Sequence, residues 1–107
     1  MWLPSFLKRL WQVLFLDLSK EIVFITDSSA SYELGVPDED GYRDVYRNGS
    51  FHSRGRIAGS GFVTWFGAPV VERRGAIMPG YRLIIVKQDN EPHKYWVTTK
   101  VVSVKNK

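Results

Sequence analysis

Arg43-Asp44-Val45-Tyr46-Arg47-Asn48-Gly49-Ser50-Phe51-His52-Ser53-Arg54-Gly55-Arg56 is the stretch that decides how this chain folds. Asn48-Gly49 stands between two runs of strand-forming residues, and both tolerate the positive φ that a two-residue type I′ turn demands. The stretch therefore reads as a β-hairpin with strands at 43–47 and 50–56. A two-residue turn pairs Arg47 with Ser50, Tyr46 with Phe51, Val45 with His52 and Arg43 with Arg54. One face then carries Tyr42, Tyr46, Phe51 and Ile57, the natural core face. The other carries Arg43, Arg47, His52, Arg54 and Arg56. Arg43 and Arg54 oppose each other there, and like charges facing across a sheet destabilise it unless an anion neutralises them. That face reads as a docking surface for phosphates, most naturally those of nucleic acid, or for another acidic partner. The competing reading is a solvated face whose arginines are met by Asp38, Glu39 and Asp40.

The β pattern continues on both sides of this hairpin. Upstream, 21–26 is a short β-branched run and reads as a first strand. Between them, 27–41 is serine-rich and then acidic, and reads as a long loop with one turn of helix. Downstream, 61–66 and 68–73 read as strands joined at Gly67. The runs 82–88 and 94–105 form a second hairpin across Asp89-Asn90-Glu91-Pro92. Gly55, Gly59 and Gly61 lie close together and predict a bulge or sharp bend. The fold class expected is mainly β (α+β): a small, strongly bent antiparallel sheet or partly open barrel of about six strands, with one N-terminal amphipathic helix.

That helix is expected over 1–18, with the β domain over 20–107, in a single domain of 107 residues. Trp2, Leu3, Phe6, Leu7, Leu10, Trp11, Val13, Leu14, Phe15 and Leu18 fall on one broad arc at helical spacing. Ser5, Lys8, Arg9 and Gln12 hold the narrow polar remainder. Such a helix must bury its face in its own core, in a protein partner or second copy of the chain, or in a membrane interface. Leu7, Leu10, Trp11 and Leu14 are the expected docking residues. Lys8 and Arg9 sit inside the apolar run instead of ahead of it, unlike a signal peptide. The same charges, with Gln12 and Asp17, interrupt any spanning helix. A cytoplasmic chain is expected, peripheral to a membrane if the helix docks on lipid.

Fifteen Lys and Arg against eleven Asp and Glu give a net charge of +4, which leans toward anionic partners. Aromatic residues flank basic ones at Trp65-Phe66 before Arg73-Arg74, at Tyr81-Arg82 and at Lys94-Tyr95-Trp96. Trp65, Tyr81 and Trp96 are the candidate stacking residues, since small barrels that bind single strands combine a basic groove with stacking rings. Alternate aromatics in strands also serve as core. The chain has no cysteine, so His52 and His93 lack the partners of a zinc site unless carboxylates complete it. Asp38, Asp40, Gly41 and Asp44 only faintly match a calcium loop, with Tyr42 where an oxygen ligand is required and no closing glutamate. Ser28 and Ser60 have no elbow or triad spacing around them. The glycines at 55, 59 and 61 match no phosphate-loop fingerprint. Neither an enzyme nor a cofactor or metal is expected. The function expected is a non-catalytic binding module engaging a polyanion, with an assembly subunit docking through residues 2–18 on a membrane or a larger complex as the alternative.

Overall fold

The computed structural model describes residues 16–88 and 95–107. The expected helix, with Leu7, Leu10, Trp11 and Leu14, lies outside the described residues except at its end, where Asp17 to Lys20 form a turn and Leu16 packs on the core. The turn Asp89-Asn90-Glu91-Pro92, with His93 and Lys94, also lies outside them. Seven strands are described: β1 (Ile22–Thr26), β2 (Ser31–Leu34), β3 (Arg43–Arg47), β4 (Ser50–Val63), β5 (Pro69–Arg74), β6 (Arg82–Lys87) and β7 (Tyr95–Asn106).

Every pairing is antiparallel, and six of the strands close into a barrel in the order β1-β2-β3-β4-β6-β7 and back to β1. With β5 set aside, each barrel strand neighbours the next one in the chain, so the barrel is an up-and-down meander. Closure gives every barrel strand two partners and removes the aggregation-prone edges of an open sheet. Two long strands supply the stagger that closure needs. β7 pairs with β6 from Tyr95 to Lys100 and with β1 from Val101 to Asn106. β4 pairs with β3 over Ser50 to Gly55, while its far half bonds β6 on one edge and β5 on the other.

Period-two alternation sends Ile22, Phe24, Tyr32, Leu34, Val45, Leu83 and Ile85 into the barrel; on β7 a register shift against β1 at Val102 lets both Val101 and Val104 point inward, and Ile77 joins them from the β5–β6 connection. The expected loop at 27–41 contains β2. Its Ser31-Tyr32-Glu33-Leu34 alternation buries Tyr32 and Leu34, a short signal masked by the serines before it. The expected strands at 50–56 and 61–66 are one continuous β4, and the glycine cluster bends it. Register shifts fall between Ile57 and Gly59 and between Ser60 and Gly61. A Cβ on Gly61 would stand 1.8 Å from the Val70 carbonyl oxygen, so only glycine lets β5 approach there.

The Asn48-Gly49 turn forms as expected, with φ of 49° and 86° and with Arg47 opposite Ser50 and Tyr46 opposite Phe51. Beyond that pair the expected register is overturned. A bulge inserts His52, so Val45 faces Ser53, Asp44 faces Arg54 and Arg43 faces Gly55. The expected faces are corrected accordingly: Val45 and Arg43 point inward and are buried, Tyr46 is outward and half-buried, and Phe51 is 62% exposed. The unbulged register would have put the Asp44 carboxylate in the core and Val45 in water, and burying an unpaired charge is the costlier arrangement.

Candidate functional site

The basic face expected on the β3–β4 hairpin does not assemble, because its five members go to different places. The Arg43 guanidinium lies in the lower end of the barrel and donates to the carbonyls of Leu18, Lys20 and Gly35, at 3.0 Å and 3.1 Å for the latter two. Burial lowers its pKa, but the guanidinium keeps its charge and spreads it over three backbone oxygens. Arg54 is outward and held by two carboxylates, donating to Asp44 at 3.0 Å and to Asp38. Its hydrogen bonds to Asp44 and Asp38 raise its pKa. Asp38 is further fixed by accepting from the backbone amides of Asp40 and Tyr42, both at 2.9 Å. Desolvation works to raise the Asp38 pKa, but the bonds from Tyr42, Arg54 and Asp40 outweigh it and leave the pKa lowered. Arg56 is exposed and sits 5.3 Å from the centre of the Tyr42 ring.

Arg47 and His52 converge instead at the upper mouth of the barrel, where β3 turns into β4. Arg47 lies over the Tyr32 ring at 5.8 Å. His52, carried out of register by the bulge, stacks on Trp96 with centroids 4.4 Å apart and planes at 30°. Trp96 meets Tyr32 at 5.2 Å, and Tyr32 stacks on Phe24 at 4.8 Å. A column of rings therefore rises from the core to the rim, with the exposed His52 as its outermost member. Burial lowers the His52 pKa, and the charges of Arg47 and Lys87 lower it further. Lys87, at the end of β6, pairs with Gly55, three residues along β4 from His52. Among the described residues no carboxylate bridges Arg47, His52 or Lys87. The rim is also braced: Asn48 Oδ1 accepts from the Ser31 amide at 2.9 Å, and its own amide donates to the Ser31 carbonyl at 2.7 Å.

The candidate stacking residues divide three ways. Trp96 belongs to this ring column. Trp65 is 95% exposed at the tip of the β4–β5 hairpin, remote from the mouth. Tyr81 is half-buried before β6, at the start of a strand whose other end reaches the mouth. Sequence reasoning missed Tyr32 and Lys87. Tyr32 was legible in the β2 alternation, and Lys87 as the last residue of the apolar run at 82–87, opposite Gly55. Ser60 is buried and structural: its hydroxyl donates to the Ala76 carbonyl at 2.7 Å and accepts from the Met78 amide at 2.9 Å. Among the described residues no three His, Asp or Glu side chains group to hold a metal ion, and no helix is long and apolar enough to cross a membrane. Compared with protein families, curated proteins and solved structures, the chain finds no match, so its chemistry must be argued from its own residues.

Proposed function

We propose that the protein is a non-catalytic binding module whose barrel mouth engages a polyanion, and that the polyanion is single-stranded nucleic acid. The observation carrying this reading is the ring column Tyr32–Trp96–His52 with Arg47 over Tyr32 and Lys87 on the neighbouring strand opposite Gly55, with no described carboxylate among them. Cations alone would hold any phosphate chain and read no sequence. The rings add the preference for single strands, because only an unpaired base can lie on an exposed ring face, and His52 offers one. The site is smaller than the four-arginine face expected from the sequence, since Arg43 and Arg54 are committed within the fold.

The alternative role is docking on a membrane or larger complex through residues 2–18, which lie outside the described residues up to position 15. Leu16 packs on the core beside Gly75 and Ile77, at the end of the barrel away from the mouth.

A salt titration of oligonucleotide binding tests the polyanion reading. At neutral pH, with the two cations Arg47 and Lys87 on a single strand, affinity should fall by about 1.4 log units per log unit of salt. Arg47→Glu with Lys87→Glu should abolish binding at low salt, while the same reversal at Arg73 and Arg74, far from the mouth, should reduce it little. Equal loss in both double variants, or no binding by the native chain at low salt, overturns the assignment.

A further inference from the structure

Beyond the pairing of Gly61 with Arg82, β4 leaves the barrel and continues with β5 alone as its partner. The two strands form an arm that ends in Thr64-Trp65-Phe66-Gly67. Three hydrogen bonds lock this turn. The Thr64 amide donates to the Ala68 carbonyl at 2.9 Å, the Gly67 amide to the Thr64 carbonyl at 2.9 Å, and the Ala68 amide to Thr64 Oγ1 at 3.0 Å. Gly67 closes the turn at φ +88°, which glycine alone adopts without strain. The two residues displayed at the apex are aromatic: Trp65 is 95% and Phe66 66% exposed, with their rings edge to face at 5.3 Å. Phe62, on the same arm, is 42% exposed. An ordinary turn of this kind carries polar residues at its tip.

We propose that this arm inserts its aromatic tip into the interface of an anionic phospholipid bilayer. Several features select lipid over a protein partner. The tip is narrow and convex, and its three rings offer about 300–500 Å² of contact at ordinary aromatic areas, well short of the ~800 Å² per partner that a stable protein interface needs. Trp and Phe on a rigid support are the residues that settle at the headgroup boundary. Arg73 and Arg74 stand exposed at the base of the arm, and among the described residues they have no carboxylate partner. They lie about 17–20 Å from the tip at strand spacing, placed to meet anionic headgroups once the tip is in. The chain also reaches the barrel at this base: Leu16 and Leu18 share one depression with Gly75, Ala76 and Ile77.

Because the chain has no cysteine, Trp65→Cys provides a unique labelling site for an environment-sensitive fluorophore. The full chain so labelled is mixed with vesicles of phosphatidylcholine containing phosphatidylglycerol, and with pure phosphatidylcholine vesicles. Emission should shift to the blue and rise several-fold with the anionic vesicles, far less with neutral ones, and not at all for a label at Ser50→Cys in the mouth. In sedimentation with the same vesicles, Trp65→Ser with Phe66→Ser should lower partitioning at least tenfold at an unchanged melting temperature. Arg73→Glu with Arg74→Glu should erase the preference for anionic lipid. A label at position 65 that stays in water while the protein binds vesicles overturns the proposal, as does absence of vesicle binding. Neither outcome touches the oligonucleotide reading, whose residues lie at the other end.

Discussion

Replacing Arg43 gives the sharpest test of the bulged register. The sequence alone puts this side chain on an exposed face, where its loss would cost little stability. The structure buries it to 4% exposure and has it donate to the carbonyls of Leu18, Lys20 and Gly35. Arg43→Ala removes all three bonds and leaves backbone oxygens without donors at the end of the barrel. Hydrogen bonds from a charged donor contribute about 1.5–3 kcal/mol each, and an unsatisfied buried acceptor costs a similar amount. Water recovers part of this loss, because the three bonds are only partly buried, so a total of about 3 kcal/mol is expected. For a domain of this size that lowers the melting temperature by roughly 10–15 °C. Arg43→Lys keeps the charge but has no planar fork to span three carbonyls, and should lose about half as much. Arg43→Glu sets a carboxylate against three carbonyl oxygens and should prevent folding. Thermal denaturation followed by far-ultraviolet circular dichroism reads all three variants. An Arg43→Ala melting curve superimposable on that of the native chain would refute both the inward placement of Arg43 and the bulge that produces it.

Other consequences follow from the same geometry. Gly49→Val should destabilise by about 1 kcal/mol or more, because a β-branched residue resists the φ of 86° found there; an unchanged urea midpoint would contradict the turn. Gly61→Ala should loosen β5 from β4 and lower the melting temperature more than Gly49→Val does, since its Cβ meets the Val70 carbonyl oxygen at 1.8 Å. The His52 pKa is lowered on folding, so the unfolded chain takes up the proton first and stability falls as pH drops below the usual histidine value of 6.5. The His52→Gln variant should lack this loss between neutral pH and the lowered folded value. A bound polyanion favours the imidazolium, so oligonucleotide affinity should rise over the same acid range in the native chain and stay flat in His52→Gln.

Much of the fold was legible because its signals are local. Asn48-Gly49 and the short β-branched apolar runs of β1 and β6 each announce themselves within a few positions, and the glycine cluster at 55–61 marks the bend of β4. Barrel closure was not legible, because the pairing of β1 with β7 depends on the stagger of two long strands, a global property. Strand β2 was hidden by the serines around it. The bulge at His52 was recoverable: an uninterrupted ladder places Asp44 inside and Val45 outside, and that conflict points to one inserted residue. Its consequence for the site was large, since the single slip sends Arg43 into the barrel and His52 onto Trp96. The mouth joins residues distant in sequence, Tyr32, Arg47, Lys87 and Trp96, which no linear spacing connects.

Backbone amide chemical-shift mapping during titration with a short single-stranded oligonucleotide tests the binding assignment most directly. The account predicts shifts clustered at Arg47 to His52, Lys87 to Gln88 and Tyr95 to Trp96, with the Trp96 indole signal moving alongside. Those shifts should collapse in Arg47→Glu with Lys87→Glu. Shifts centred instead on Arg54 and Arg56 or on Thr64 to Gly67, or no shifts at low salt, would contradict it.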